Sequence, residues 1–311
     1  MKWLMDILKG FAIGLANVVA GLSGGTIAVI VNAYEDLIDF FSNIATHLIT
    51  ALKKHYKLLI GIVFGIIIGA VCLKKLYGIA PLPITGFFAG LVFISLFPLS
   101  KSLSFKKGKK LNIINVILMI ISLALLITLA LLSSGEEKVL TLDFKHVLIM
   151  FGLGIIAAIA MVLPGVSGSM ILLVLGYYTP VLGLISIHAL KNDFLTTFVM
   201  LLSLAIGAIL GVVLGSKIIK QLLIKCRIST NFVIYGLIIG SLVGMLITGV
   251  KANNELLENN NFLPNGKEDI IMHVLCIVLF IVGSLCGYLV NYFNKKKLKS
   301  DLKEEISTDK E

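Results

Sequence analysis

The chain has 311 residues, of which 58% are hydrophobic and only 14% are charged, and its mean hydropathy is +1.02. This composition exceeds what a soluble core of the same length needs and indicates a polytopic membrane protein. The formal net charge of +10 does not indicate nucleic-acid binding, because the basic residues are spread over loops beside apolar runs, where positive-inside topology accounts for them.

The N-terminal segment, residues 7–38, holds two apolar arms that meet at a break rich in glycine and serine, Gly21–Gly25. Each arm is short for a membrane span, so we interpret the segment as a re-entrant helical hairpin, with full spans as the alternative. Its beginning superficially resembles a signal peptide, but Asp6 and Lys9 interrupt the apolar run. We therefore expect this segment to belong to the folded protein.

An interfacial helix and six membrane spans are predicted next. Between Tyr34 and Tyr56, apolar residues recur at helical spacing with polar residues between them, which is typical of a helix at the membrane interface. Runs long enough to cross a bilayer of about 30 Å lie near residues 58–76, 84–100, 112–132, 197–216, 232–250 and 270–292. A second broken segment, 147–187, follows the third run and predicts a second hairpin.

The second half of the chain repeats the first. The break Gly21-Leu22-Ser23-Gly24-Gly25 returns 144 positions later as Gly165-Val166-Ser167-Gly168-Ser169. Each half also carries a glycine ladder, formed by Gly61, Gly65 and Gly69 and by Gly207, Gly211 and Gly215. Such ladders are typical of close helix packing. Because each half holds three spans, an odd number, the second repeat is predicted to be inverted relative to the first.

We therefore predict an all-α, polytopic membrane protein of two inverted-topology repeats, each with a re-entrant helical hairpin and about three transmembrane helices. The first repeat covers residues 1–142, the second covers 143–293, and residues 294–311 form a flexible cytoplasmic tail. Lysine clusters beside alternate spans favour a cytoplasmic location for both termini. The two hairpins then enter from opposite sides, and their tips approach each other near the membrane midplane, as in alternating-access transporters.

The two tips hold the candidate binding residues. A helix that begins inside the membrane exposes unpaired N–H groups and the positive end of its dipole, which favours an anion. Serine is a good N-cap residue, glycine lets a ligand approach the backbone, and hydroxyl groups add donors. These features select Ser23, Gly24, Gly25, Thr26, Ser167, Gly168 and Ser169 as a site for an anion such as phosphate. Close helix packing is the alternative explanation for these small residues.

Three further residues are candidates with two interpretations each. Asn17 and Asn32 are polar at membrane depth in the first repeat only, so each either contacts the substrate or hydrogen-bonds a neighbouring helix. Glu35 is a candidate carboxylate for coupling transport to a proton or another ion. Its expected position at the membrane interface also suits an ordinary solvated charge.

No enzyme signature is present. The sequence lacks the HExxH and Walker motifs, which predicts no catalytic residues and a transport process that uses a gradient or runs downhill. An intramembrane lipid phosphatase would need a nucleophile with its base, or a metal constellation. The cysteines Cys72, Cys226, Cys276 and Cys286 show no CxxC spacing, so neither a metal site nor a cofactor is expected.

Four segments carry a family resemblance: KGFAIGLANVVAGLSGGTIAVIVNAYEDLI, AIAMVLPGVSGSMILLVLGYY, FFAGLVFISLFPL and VIYGLIIGSL. They resemble the PopT family of bacterial polyprenyl-phosphate transporters, over nearly the whole chain to about residue 292. Two positions depart from the family pattern. Ala20 precedes Gly21 where the family usually has proline, and Asn32 stands where it usually has glycine.

The resemblance implies translocation of undecaprenyl phosphate, the lipid carrier of cell-wall synthesis, from the outer to the cytoplasmic leaflet of the bacterial plasma membrane. Bilayer lipids and a coupling proton or ion are the other expected partners. The tip residues would then hold the phosphate of the lipid. The main alternative is a gradient-driven transporter or channel for a small soluble anion, for which a continuous polar pore would be expected.

Overall fold

The computed structural model describes residues 2–18, 22–44, 46–103, 112–132, 143–184, 194–258 and 266–308, together with residues 138, 140 and 264. In this part of the chain the regular structure is entirely helical, which confirms the predicted all-α class. The helices are α1 (Lys2–Ala16), α2 (Gly24–Ile30), α3 (Tyr34–Asn43), α4 (Leu48–Ile79), α5 (Pro81–Ser102), α6 (Ile113–Leu131), α7 (Phe144–Val162), α8 (Gly168–Val174), α9 (Tyr178–Leu184), α10 (Phe194–Lys225), α11 (Arg227–Leu256) and α12 (Lys267–Thr308).

Seven of the described helices are long and apolar enough to cross a membrane: α4, α5, α6, α7, α10, α11 and the Lys267–Leu289 part of α12. Each of the six predicted spans lies within one of them or extends past its ends by no more than three residues, and these six predictions are confirmed. The seventh is α7, which the sequence predicts as the first arm of a re-entrant hairpin. Its counterpart α1 has only 15 residues, or about 22 Å of helix.

Two predicted segments differ from the structure. The prediction of one interfacial helix from Tyr34 to Tyr56 is wrong, because α3 ends at Asn43 and α4 begins at Leu48. The Asn43 amide donates to the carbonyl and the carboxylate of Asp39, a local bond by which asparagine competes with continued helix. Residues 294–308, expected as part of a flexible tail, continue α12 as helix.

Within each half, two helices pack through the glycine ladders. α1 runs along α4 and α7 runs along α10. A Cβ atom built on Gly61 would overlap the carbonyl oxygen of Ile7, and one built on Gly207 would overlap that of Phe151. Only glycine permits this backbone approach, so the ladders act in helix packing.

The remaining long helices pair across the two halves. α5 packs along α12, and α6 packs along α11. Glycines again lie at the crossings, because a Cβ on Gly90 would overlap the carbonyl oxygen of Phe280 and one on Gly283 would overlap that of Phe87. The largest buried apolar cluster also combines both halves, including Ile13, Ala28, Val92, Ile238 and Met245. The halves are therefore interlocked rather than side by side.

Candidate functional site

Each tip places a serine immediately before a short helix. Ser23 precedes α2 with φ −99° and ψ 130°, and Ser167 precedes α8 with φ −104° and ψ 132°. Both serines occupy the N-cap position, and their carbonyl oxygens accept the first backbone hydrogen bonds of the two helices. Neither hydroxyl caps its helix. The Ser167 Oγ lies 2.7 Å from the Ser169 Oγ instead.

The two tips are in contact with each other. A Cβ atom built on Gly25 would lie 3.3 Å from the Cα of Pro164 and 3.5 Å from the carbonyl oxygen of Leu163. Close by, the Tyr34 hydroxyl donates a 3.0 Å hydrogen bond to the carbonyl of Val162, the last residue of α7. Helix ends leave such carbonyls without an intrahelical partner, so Tyr34 satisfies a buried group of the other half.

The two tips differ in their access to the surroundings. Ser23 is only 3% exposed and Thr26 is completely buried. The Thr26 Oγ1 has no hydrogen-bond partner among the residues that the structure describes. Ser169, in contrast, is exposed, and Ser167 is half-buried. The first tip is therefore enclosed and the second is open. Ala20 and Gly21, which include one departure from the family pattern, lie outside the described residues.

A cavity of about 120 Å³ adjoins the contact between the tips. Its lining is mostly apolar and consists of Ile13, Asn17, Gly24, Gly25, Tyr34, Leu37, Ile38, Phe41, Ile62, Met161, Val162 and Val212. The side-chain amide of Asn17 lies against Gly24 and donates a 3.1 Å bond to the carbonyl of Ile13. The structure thus brings Asn17, Gly24 and Gly25 together, whereas the other predicted tip residues do not line this cavity: Ser23, Thr26, Ser167, Gly168 and Ser169.

Asn32 has a backbone role that its sequence position did not reveal. Its φ of 52° is left-handed, and Gly176, its counterpart in the second half, has φ 78°. Asparagine tolerates this conformation better than most residues other than glycine. The side chain of Asn32 is exposed. Asn32 therefore makes the same left-handed turn as Gly176.

Glu35 lies in an exposed ion pair, 3.0 Å from Arg227 of α11.

A larger charged cluster, which the sequence analysis missed, surrounds the carboxylate of Asp39, one turn further along α3. The carboxylate oxygens lie 2.7 Å from Lys54, 2.7 Å from Lys220 and 3.3 Å from His55. Lys220, followed by Lys54, holds the pKa of the Asp39 carboxyl well below its usual range.

A second cavity, of about 340 Å³, opens beside this cluster. It is lined by Glu35, Asp36, Ile38, Asp39, Lys54, Lys220, Leu223, Ile224 and Arg227. Lys54 and Lys220 belong to the lysine clusters from which the sequence predicts the orientation, and no sequence pattern connects them with Asp39. No group of three His, Cys, Asp or Glu side chains suited to a metal occurs in the described ranges.

Known proteins with similar sequences are named as transporters. The family profile described as VCA0040-like, Undecaprenyl phosphate translocase-like, matches residues 13–261. A polyprenyl-phosphate transporter of Vibrio cholerae is 33% identical over 258 residues, which cover 78% of this chain and 77% of that protein. A polyprenyl-phosphate transporter of Staphylococcus aureus is 30% identical over 290 residues, 91% of this chain and 93% of that protein. No solved structure matches the chain.

Proposed function

Because the chain belongs to the undecaprenyl phosphate translocase-like family, we propose that it carries undecaprenyl phosphate from the outer to the cytoplasmic leaflet and holds the phosphate at its paired tips. The protein is a multi-pass membrane transporter rather than an enzyme. Transport toward the cytoplasm returns the carrier lipid for reuse in cell-wall synthesis. The bacterial plasma membrane is the corresponding location, with both termini in the cytoplasm.

The contact between the two tips is the observation that carries this proposal. A phosphate monoester needs several donors from different directions, and the tips supply them from both halves. The hydroxyls of Ser167 and Ser169 are accessible, and the backbone N–H groups of Gly24 and Gly25 form no hydrogen bond within the described chain. Hydrogen bonds to an ionised acceptor are roughly twice as strong as neutral ones. Such a set can bind a phosphate without a buried lysine or arginine.

The cavity beside the tips favours a lipid over a soluble anion. Apart from Asn17 and Tyr34, its side chains are apolar, so it suits the isoprenoid carbons nearest the phosphate rather than a hydrated ion. A channel for a soluble anion would need a continuous polar path. In a lipid transporter the remaining tail stays in the bilayer while the headgroup crosses.

Alternating access between two inverted repeats is the proposed transport mode. The helices follow one another in the same order in both halves, with α4 and α10 both 32 residues long and α2 and α8 both seven. The exchanged pairing of α5 with α12 and of α6 with α11 is the pattern expected when a pseudo-two-fold axis relates the halves. Re-entrant hairpins at both tips belong to the same proposal, with Glu35 as a candidate for ion coupling.

Leaflet-resolved transport in proteoliposomes tests the proposal. The wild type should move a polyprenyl phosphate between leaflets, and the double variant Ser23→Ala, Ser167→Ala should do so at least about tenfold more slowly, since one hydrogen bond to a charged group contributes about 1.5–3 kcal/mol. Ser100→Ala is the control, because the Ser100 hydroxyl is exposed and donates to Phe97 of its own helix. Uptake of inorganic phosphate without lipid movement would favour the soluble-anion alternative. Unchanged transport by a folded double variant would refute the tip assignment.

A further inference from the structure

The Asp39 cluster joins the two halves beside the tip cavity. Asp39 belongs to α3. One of its carboxylate oxygens lies 2.7 Å from the Nζ of Lys54 of α4, and the other lies 2.7 Å from the Nζ of Lys220 of α10. The Asn43 amide donates to the same carboxylate at 3.0 Å, and Lys220 also lies 3.3 Å from the Ser42 hydroxyl. One carboxylate is thus shared by two lysines from different halves of the chain.

The two cavities lie on opposite faces of the same short helix. Leu37, Ile38 and Phe41 of α3 line the tip cavity, whereas Glu35, Asp36 and Asp39 line the polar cavity. Ile38 lines both, so the two spaces are separated by little more than the α3 helix.

The cations of the cluster are accessible enough to exchange partners. The side chains of Lys54 and Lys220 are 62% and 39% exposed, and that of Asp39 is 26% exposed. Ion pairs with this exposure contribute little to stability, because solvent screens the two charges. A phosphate monoester carries more negative charge than a carboxylate and offers three acceptor oxygens. It can therefore displace Asp39 from the two lysines.

We infer that Lys54 and Lys220 form a second binding station for a phosphate monoester, at which the incoming phosphate competes with Asp39. This inference rests on the proposed function, because it names where the lipid headgroup goes after it leaves the tips. Taking Lys220 away from Asp39 breaks a contact between the halves at the same time. Arrival of the phosphate and separation of α3 from α10 then become one event. Without a substrate, Asp39 occupies the lysines and keeps α3 joined to α10.

Equilibrium binding to the full-length protein in detergent micelles tests the competition. The probes are a short-chain isoprenyl phosphate and, separately, inorganic phosphate. Asp39→Asn should tighten binding about five- to tenfold, since it removes the competing charge from the lysines. Lys220→Gln should weaken binding about tenfold, and Lys220→Arg should restore most of it. Lys217→Gln is the matched control, because Lys217 is exposed one turn earlier on α10 and forms no ion pair in the described chain. It should bind like the wild type.

The variants separate this inference from the proposed function. Isoprenyl phosphate that binds the wild type and Asp39→Asn equally, or binds Asp39→Asn more weakly, would overturn the competition while leaving the transport proposal intact. Equal affinity for inorganic phosphate and isoprenyl phosphate would show that the station binds a free anion and does not select the lipid headgroup. If Asp39→Asn does not fold, as judged by thermal unfolding, the comparison of Lys220→Gln with Lys217→Gln decides. Equal binding by those two would refute the station.

Discussion

Replacing Gly154 by alanine tests whether the glycine contacts hold α7 against α10. A Cβ atom at Gly154 would overlap the carbonyl oxygen of Leu204 and lie 2.8 Å from the backbone nitrogen of Ala208. A Cβ atom at Gly152, two residues earlier on the same helix, would meet open space, with no atom of the described chain within 4 Å. The pair therefore compares one added methyl group at a closed helix contact with the same group at an open position.

The expected difference can be worked from these contacts. Alanine is favoured over glycine in a helix interior by about 1 kcal/mol, so Gly152→Ala should be neutral or slightly stabilising. At Gly154 the same gain is opposed by overpacking, which costs about 1–3 kcal/mol and more where backbone must move. The two variants should therefore differ by about 3 kcal/mol in the free energy of unfolding, with Gly154→Ala less stable.

Thermal unfolding of the purified variants in detergent micelles is the assay. A change of 1 kcal/mol shifts the midpoint by about 2–4 °C in proteins of 150–250 residues, so a gap of roughly 6–12 °C is expected between Gly154→Ala and Gly152→Ala. Midpoints within about 1 °C of each other would show that α7 and α10 are not in glycine-mediated contact. A lower midpoint for Gly152→Ala than for Gly154→Ala would contradict the predicted order of stability.

Two further predictions concern the tips. Tyr34→Phe should destabilise the protein by about 1–3 kcal/mol, because the buried carbonyl of Val162 loses its donor across the halves; thermal unfolding measures the loss, and an unchanged midpoint would refute the bond. Asn32→Gly should be tolerated within about 0.5 kcal/mol, since φ at this position is positive, whereas Asn32→Val should cost about 1–2 kcal/mol. Equal unfolding midpoints for these two variants would contradict the left-handed turn.

The sequence is most informative where the signal is local. Long apolar runs predict membrane helices because the bilayer imposes one length and one polarity on all of them, and each of the six runs lies in a long helix. The N-cap positions of Ser23 and Ser167 follow from the motif itself. In the sequence, Asn32 is only a departure from a pattern. The left-handed turn at this position is seen only in the backbone angle φ.

The parts that escaped prediction depend on distant partners. Lys220 lies 181 residues after Asp39, and no local pattern connects them. At the offset that relates the tips, Asp39 corresponds to Gly183, so the repeat does not signal the cluster either. Likewise, α7 has 19 residues whereas its counterpart α1 has 15. The prediction of three spans in each half assumed that these two helices are alike.

The packing limits which parts of the molecule can move during transport. Glycine contacts interlock α5 with α12 and α6 with α11 across the halves, so one half cannot rock as a unit against the other without breaking tight backbone contacts. The joint between the α1–α4 and α7–α10 groups is different. It includes the Tyr34–Val162 hydrogen bond and the Asp39–Lys220 ion pair, which are side-chain contacts and not close approaches of two backbones. Under the proposed alternating access, we therefore expect the enclosed first tip to become exposed when these two helix groups separate on a scaffold of α5, α6, α11 and α12. Under the proposed competition, a phosphate that takes Lys220 from Asp39 would loosen that joint.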